Sequence, residues 1–100
     1  MSPKLRDIKD LNNIQRPIEP PKASIMCDLL WSDPSSDVNC WSDNVERGIS
    51  FYFGPKVVNN FLHKYDFDLI CRSHQVVEEG YEFFNEKTLI TIFSAPNYCG

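Results

Sequence analysis

An arginine, a histidine and a tyrosine stand where this sequence could do chemistry. Arg47 closes Val45-Glu46-Arg47-Gly48, directly before an apolar run. A guanidinium can grip phosphate oxygens with two parallel hydrogen bonds, and Gly48 beside it lets backbone and ligand approach closely. His74 follows Leu69-Ile70-Cys71 by way of Arg72 and Ser73. Neutral imidazole is a favoured metal ligand, and a strand behind it fixes its direction. Tyr98 lies in the polar turn Ser94-Ala95-Pro96-Asn97-Tyr98-Cys99-Gly100, after a second apolar run. Its hydroxyl could orient a phosphate or a water. Cys99 next to it could be a modifiable thiol near a cationic site.

Each of these residues also has a plainer reading. His74 alone is a satisfied surface histidine, Arg47 a solvated cation, Tyr98 an aromatic capping the core, and Cys99 an inert thiol. Cys71 and His74, three apart, would with the other cysteines and His63 also suit a zinc site. Asp33, Asp37, Asp43, Glu46, Glu78, Glu79 and Glu82 would favour basic substrates or partners if they lined a cleft.

The elements that must position these residues are legible in outline. Leu5, Ile8, Leu11 and Ile14 recur at spacing three, which predicts a short amphipathic helix. Pro17, Pro20 and Pro21 then enforce an extended stretch. Residues 23–31 are apolar enough for a short helix, with Ser24 as its N-cap. Residues 32–48 read as a loop, since Ser, Asp and Asn dominate. A strand is predicted over 49–53, closed by Gly54. A helix begins at Pro55 and places Val57, Val58, Phe61, Leu62 and Tyr65 on one face. Residues 66–71 read as a buried strand, and 81–84 with 89–93 as a hairpin. Strand, helix, strand and hairpin together predict an α/β protein with a mixed sheet. Chemistry in such sheets gathers at the carboxyl ends of strands, where His74 falls.

Composition narrows the classes. A hydrophobic fraction of 42% with 13% aromatics calls for a packed core. A net charge of −4 argues against a nucleic-acid binder, which needs a basic face. No apolar run approaches a membrane span, so no membrane partner is expected. No signal peptide follows Met1, and irregularly spaced Cys27, Cys40, Cys71 and Cys99 argue against a disulfide scaffold. A cytoplasmic or nuclear setting is the expectation. Bare strand edges and a largely coil first half predict marginal stability for the chain alone.

The joint order of several segments is more specific than any one of them. Ser2-Pro3, Cys27-Asp28-Leu29-Leu30-Trp31-Ser32-Asp33-Pro34, Arg47-Gly48, Cys71-Arg72-Ser73-His74-Gln75, Gly80-Tyr81-Glu82 and the 93–100 segment resemble the phosphoprotein phosphatase family. Residues 76–84 and 61–64 look closest to its type-1 branch. The resemblance implies the C-terminal portion, spanning 1–100, of a metallophosphoesterase-type layered sandwich with mixed β-sheets. It also implies hydrolysis of phosphoserine and phosphothreonine by a water activated between two divalent metal ions, described with manganese, iron or zinc. His74 would be one metal ligand, Arg47 the phosphate grip, and Tyr98 a pocket wall. Cys99 matches a position that cyclic-peptide toxins modify. Trp31 and Asp33 would border an apolar and an acidic substrate groove. Leu69 and Phe83 would help line a docking groove for regulatory subunits with short apolar motifs.

The sequence also departs from that pattern. The family's metal-binding signatures GDxHG, GDxxDRG and GNHE are absent from these hundred residues. The loop before Arg47 is one residue longer than the type-1 pattern, with Cys40 in place of a usual glycine, and Ser73 replaces alanine. The rival reading is a non-catalytic half-domain that binds phosphatase regulators.

Overall fold

The computed structural model describes residues 1–99. It contains two three-stranded sheets with a helix between them in the chain, which bears out the expected α/β class with mixed sheets. The first sheet is built from β1 (Asp33–Pro34), β2 (Trp41–Asp43) and β3 (Phe51–Phe53), in the order β1-β3-β2. β1 runs parallel to β3, with Asp33 opposite Tyr52, and β2 runs antiparallel to it. The second sheet holds β4 (Ile70–Arg72), β5 (Tyr81–Phe84) and β6 (Leu89–Ile92), in the order β4-β6-β5. β4 is parallel to β6 and β5 antiparallel, the hairpin turning through residues 85–88 as expected.

α1 spans Ile25–Trp31, and Ser24 caps it by accepting a hydrogen bond from the Cys27 N–H at 3.1 Å. α2 spans Pro55–Tyr65, with Gly54 as N-cap and Pro55 in the first turn. Asp66, in the left-handed region at φ 56°, ends α2 by donating its N–H to the carbonyls of Leu62 and His63. The core is small. Phe53 of β3, Val58 and Leu62 of α2, and Leu89 of β6 are buried together, flanked by Trp41, Val57, Phe61, Ile70 and Phe84. α2 therefore supplies apolar side chains that join the two sheets.

Three expectations are corrected. The 32–48 segment is not simply loop, because β1 and β2 lie within it. Strands of two and three residues are too short to show alternation in the sequence. The expected helix near the start is a 3-10 helix over Ile8–Asn13, capped by Asp7 with Asp10 returning the bond, and it buries no residue. Apolar spacing of three is the period of a 3-10 turn rather than of an α-helix. The strand expected over 66–71 is shorter, because Asp66 is spent on the cap of α2. Its Cys71 is exposed rather than buried. Among the described residues no helix is long and apolar enough to cross a membrane.

Candidate active site

The end of α1, strand β1, the turn after β2 and the end of β4 meet at one place, and a carboxylate stands at its centre. Asp33 of β1 is buried. Its Oδ2 accepts from Arg47 Nε at 2.5 Å and from Asn44 Nδ2 at 2.9 Å. Its Oδ1 accepts from Arg47 Nη2 at 3.0 Å and from Arg72 Nη2 at 2.9 Å. One carboxylate therefore neutralises part of two guanidinium charges. Burial pushes its carboxyl up, but the hydrogen bonds from Arg47 and Asn44 and the two positive charges outweigh that. The net result is a carboxyl held below its ordinary range. Arg47 responds in the opposite sense, its hydrogen bonding to Asp33 raising an already high value. Arg72 is lowered, because burial disfavours its charge more than Asp33 restores it.

The turn over 44–48 aims Arg47. Asn44 is buried, and its Oδ1 accepts the Arg47 N–H at 3.2 Å while its own backbone carbonyl accepts from Gly48 N–H at 3.0 Å. Gly48 has φ 70°, and a Cβ there would meet nothing within 4 Å. The glycine is needed for its left-handed backbone rather than for close approach of a ligand. Trp31, the last residue of α1, lies under both functional groups. The Arg47 guanidinium carbon is 5.4 Å from its ring centroid. The His74 ring packs edge-on at 4.5 Å.

His74 leaves β4 in the left-handed region at φ 80°. Its backbone carbonyl accepts a hydrogen bond from Arg47 Nη2. Its Nδ1 lies 2.5 Å from the carbonyl oxygen of Leu30. A carbonyl can only accept, so this contact puts the ring proton on Nδ1 and leaves the Nε2 lone pair open. Tyr98 is exposed and packs edge-on against Phe93 at 5.3 Å. It lines an open groove with Val76, Gly80, Phe93, Ser94 and Ala95. Its charged form would raise Arg47 further, so the two lie within electrostatic reach.

A family model described as calcineurin-like phosphoesterase matches residues 2–78. The chain belongs to the calcineurin-like phosphoesterase family. It is also similar to a solved protein serine/threonine phosphatase from Saccharomyces cerevisiae, itself described as similar to the human phosphatase PP5, with a TM-score of 0.82 and 37% sequence identity. That likeness covers 92% of this chain and 28% of the yeast one, so the chain spans just over a quarter of the structure it matches. Together these likenesses support membership of the phosphoprotein phosphatase family.

Against that family background the expected site residues fall into four groups. Arg47, His74 and Trp31 are brought together. Tyr98 and Cys99 are exposed on the neighbouring turn, and Gly100 lies outside the described residues. Asp33 is corrected: it is no groove wall, because it is buried and its oxygens are engaged by Arg47, Arg72 and Asn44. Asn44 and Arg72 were missed as site residues. An Asn three positions before an Arg is a turn signature that could have flagged Asn44. Leu69, directly before β4, and Phe83 of β5 are exposed, and neither is among the residues bonded to this cluster.

Phosphoesterases of this family generally use divalent metals, and the residues present do not by themselves make such a site. Among the described residues no three His, Cys, Asp or Glu side chains converge on one point. The zinc site once open to Cys71 and His74 lacks a third ligand for the same reason. A hydrolytic ion needs several protein ligands, and His74 alone supplies one.

Proposed function

We propose that the protein carrying this sequence hydrolyses phosphoserine and phosphothreonine esters in proteins. In this reading, Arg47 is the phosphate anchor and His74 is one ligand of a metal centre completed by other residues. One observation carries the reading: Arg47, Trp31 and His74 converge where α1, the 44–48 turn and β4 meet. Trp31 holds the guanidinium and imidazole in one orientation by contact with both. A pre-aimed cation is worth most where negative charge develops, as on the oxygens of a transferring phosphoryl group. Tyr98, within electrostatic reach of Arg47, would line the pocket from the turn after β6, with Cys99 next to it in the chain.

The site's chemistry follows from what these residues can do without a metal step. Arg47 orients a phosphate monoester. Trp31 excludes water from one side of it. Asp33 keeps the arginine from swinging into solvent. His74 offers an imidazole nitrogen, and the Leu30 carbonyl decides which: a metal bound through Nε2 would keep that contact, and one bound through Nδ1 would displace it.

Regulatory docking is the finer part of this proposal. Leu69, Phe83 and Ile92 expose 48%, 44% and 45% of their surface, and exposed apolar side chains of this kind favour a short apolar peptide as partner. The same surface favours the rival reading of a non-catalytic binder of regulators. The two are separated by sequencing the transcript upstream of Met1 and assaying whatever open frame it encodes. Phosphate release from a phosphoserine peptide with manganese, iron or zinc, reduced about 10²–10³-fold by Arg47→Ala, supports the phosphatase. No release with any of the three metals, together with apolar-peptide binding lost on Phe83→Ala, would leave the binder.

A further inference from the structure

Arg47 is not free to take a phosphate as a two-pronged fork. A guanidinium has five N–H donors. Nε–H is given to Asp33 Oδ2 at 2.5 Å. The Nη2 hydrogens go to Asp33 Oδ1 at 3.0 Å and to the His74 carbonyl. The Nε/Nη2 edge, which matches a carboxylate or phosphate with two parallel bonds, is therefore already filled by a carboxylate. Only Nη1 remains. Asp33 cannot easily turn away, because Arg72 and Asn44 hold it from other sides and its side chain is 7% exposed.

We infer that Asp33 is a positioning residue that occupies the bidentate edge of Arg47 and so makes the arginine meet phosphate through Nη1 alone. Two consequences separate this from a merely structural ion pair. Phosphate should not compete with Asp33. Removing the carboxylate should change which edge of Arg47 phosphate uses, rather than abolish contact. The inference rests on the reading of Arg47 as the phosphate anchor and deepens it: the site selects a ligand oxygen by direction and leaves the remaining phosphate oxygens to other groups.

The test is a titration of the full chain with inorganic phosphate, followed by the arginine side-chain signals in a ¹⁵N–¹H NMR spectrum. Arg47→Lys identifies the Arg47 signals by deleting them. In the unmodified chain the Nε–H signal should sit at a hydrogen-bonded, exchange-protected position and stay there as phosphate saturates, while the Nη signals move. In Asp33→Asn the same Nε–H signal should begin at the free-arginine position and shift on phosphate addition, because the fork is now open. An Nε–H signal that moves with phosphate in the unmodified chain shows Asp33 being displaced and overturns the inference, even if Asp33→Asn does not fold. An unchanged Nε–H position in a folded Asp33→Asn also overturns it. If no Arg47 signal responds at any phosphate concentration, the phosphate-anchor reading falls and takes the inference with it, an outcome distinct from the other two.

Discussion

Between Arg47 and Arg72 stands a single carboxylate, and removing it leaves two cations facing each other across a buried gap. Asp33→Ala is expected to cost about 3 kcal/mol in urea unfolding, the usual penalty for orphaning a buried charge. The pH dependence has a definite sign. Asp33 titrates below its ordinary value when folded. Its stabilisation is therefore complete above the unfolded-state value of about 3.9 and is lost as pH falls through the lower folded value. Asp33→Asn should flatten that acid limb of the stability profile; an unchanged limb would place the acid sensitivity elsewhere. That Arg47, His74 and Trp31 belong to one locality was readable at this scale, because each sits in a short motif whose order is specific. The role of Asp33 was not. Its partners lie 14 and 39 residues away in sequence, and no local pattern announces an ion pair across that distance.

Elements were legible where periodicity had room to show. α2 was readable from Val57, Val58, Phe61, Leu62 and Tyr65 on one face, and the β5–β6 hairpin from two apolar runs about a polar turn. β1 and β2 were hidden because the ladder to β3, not their own composition, makes them strands. Gly54 shows how tightly that ladder closes. A Cβ there would overlap the backbone carbonyl oxygens of Val38 and Asn39, and no flexible side chain is available to yield. Gly54→Ala should lower the thermal midpoint, opposite in sign to the modest rise that Gly→Ala gives at an unstrained exposed site. Leu89, fully buried in the central strand β6, should cost about 2–5 kcal/mol when cut to Ala. His74 reverses a common expectation. At φ 80° the backbone favours glycine, so His74→Gly should be more stable than His74→Ala by about 1 kcal/mol although both lose the ring.

At the scale of the whole molecule the chain carries more surface than its mass warrants. Its accessible area is 7209 Å², where size scaling for a folded monomer of 11.6 kDa gives about 5,800 Å². The excess resembles one side of a large protein interface. Exposed Tyr81, Phe83 and Ile92 on the β5–β6 face supply part of it. Sedimentation of the isolated chain at tens of micromolar should therefore show self-association, and a clean monomer would contradict that expectation. Overall fold class was readable from the alternation of helix and strand signals. The division into two sheets was implied by the family resemblance and not by the local patterns, because it depends on parallel pairings between distant segments.

The junction of the two sheets also has a consequence in time. β5 and β6 are joined by a four-residue turn and can pair early, whereas the Asp33–Arg72 bond closes a loop of 39 residues between one sheet and the other. A contact that spans such a loop forms late, and one that rests on part-exposed side chains opens locally at low cost. Arg47, the proposed phosphate anchor, therefore sits on a seam between the two sheets. Backbone amides of β6 should exchange with solvent deuterium far more slowly than those of residues 44–48. The site should blink open many times for every complete unfolding, and a ligand that bridges the seam would close it.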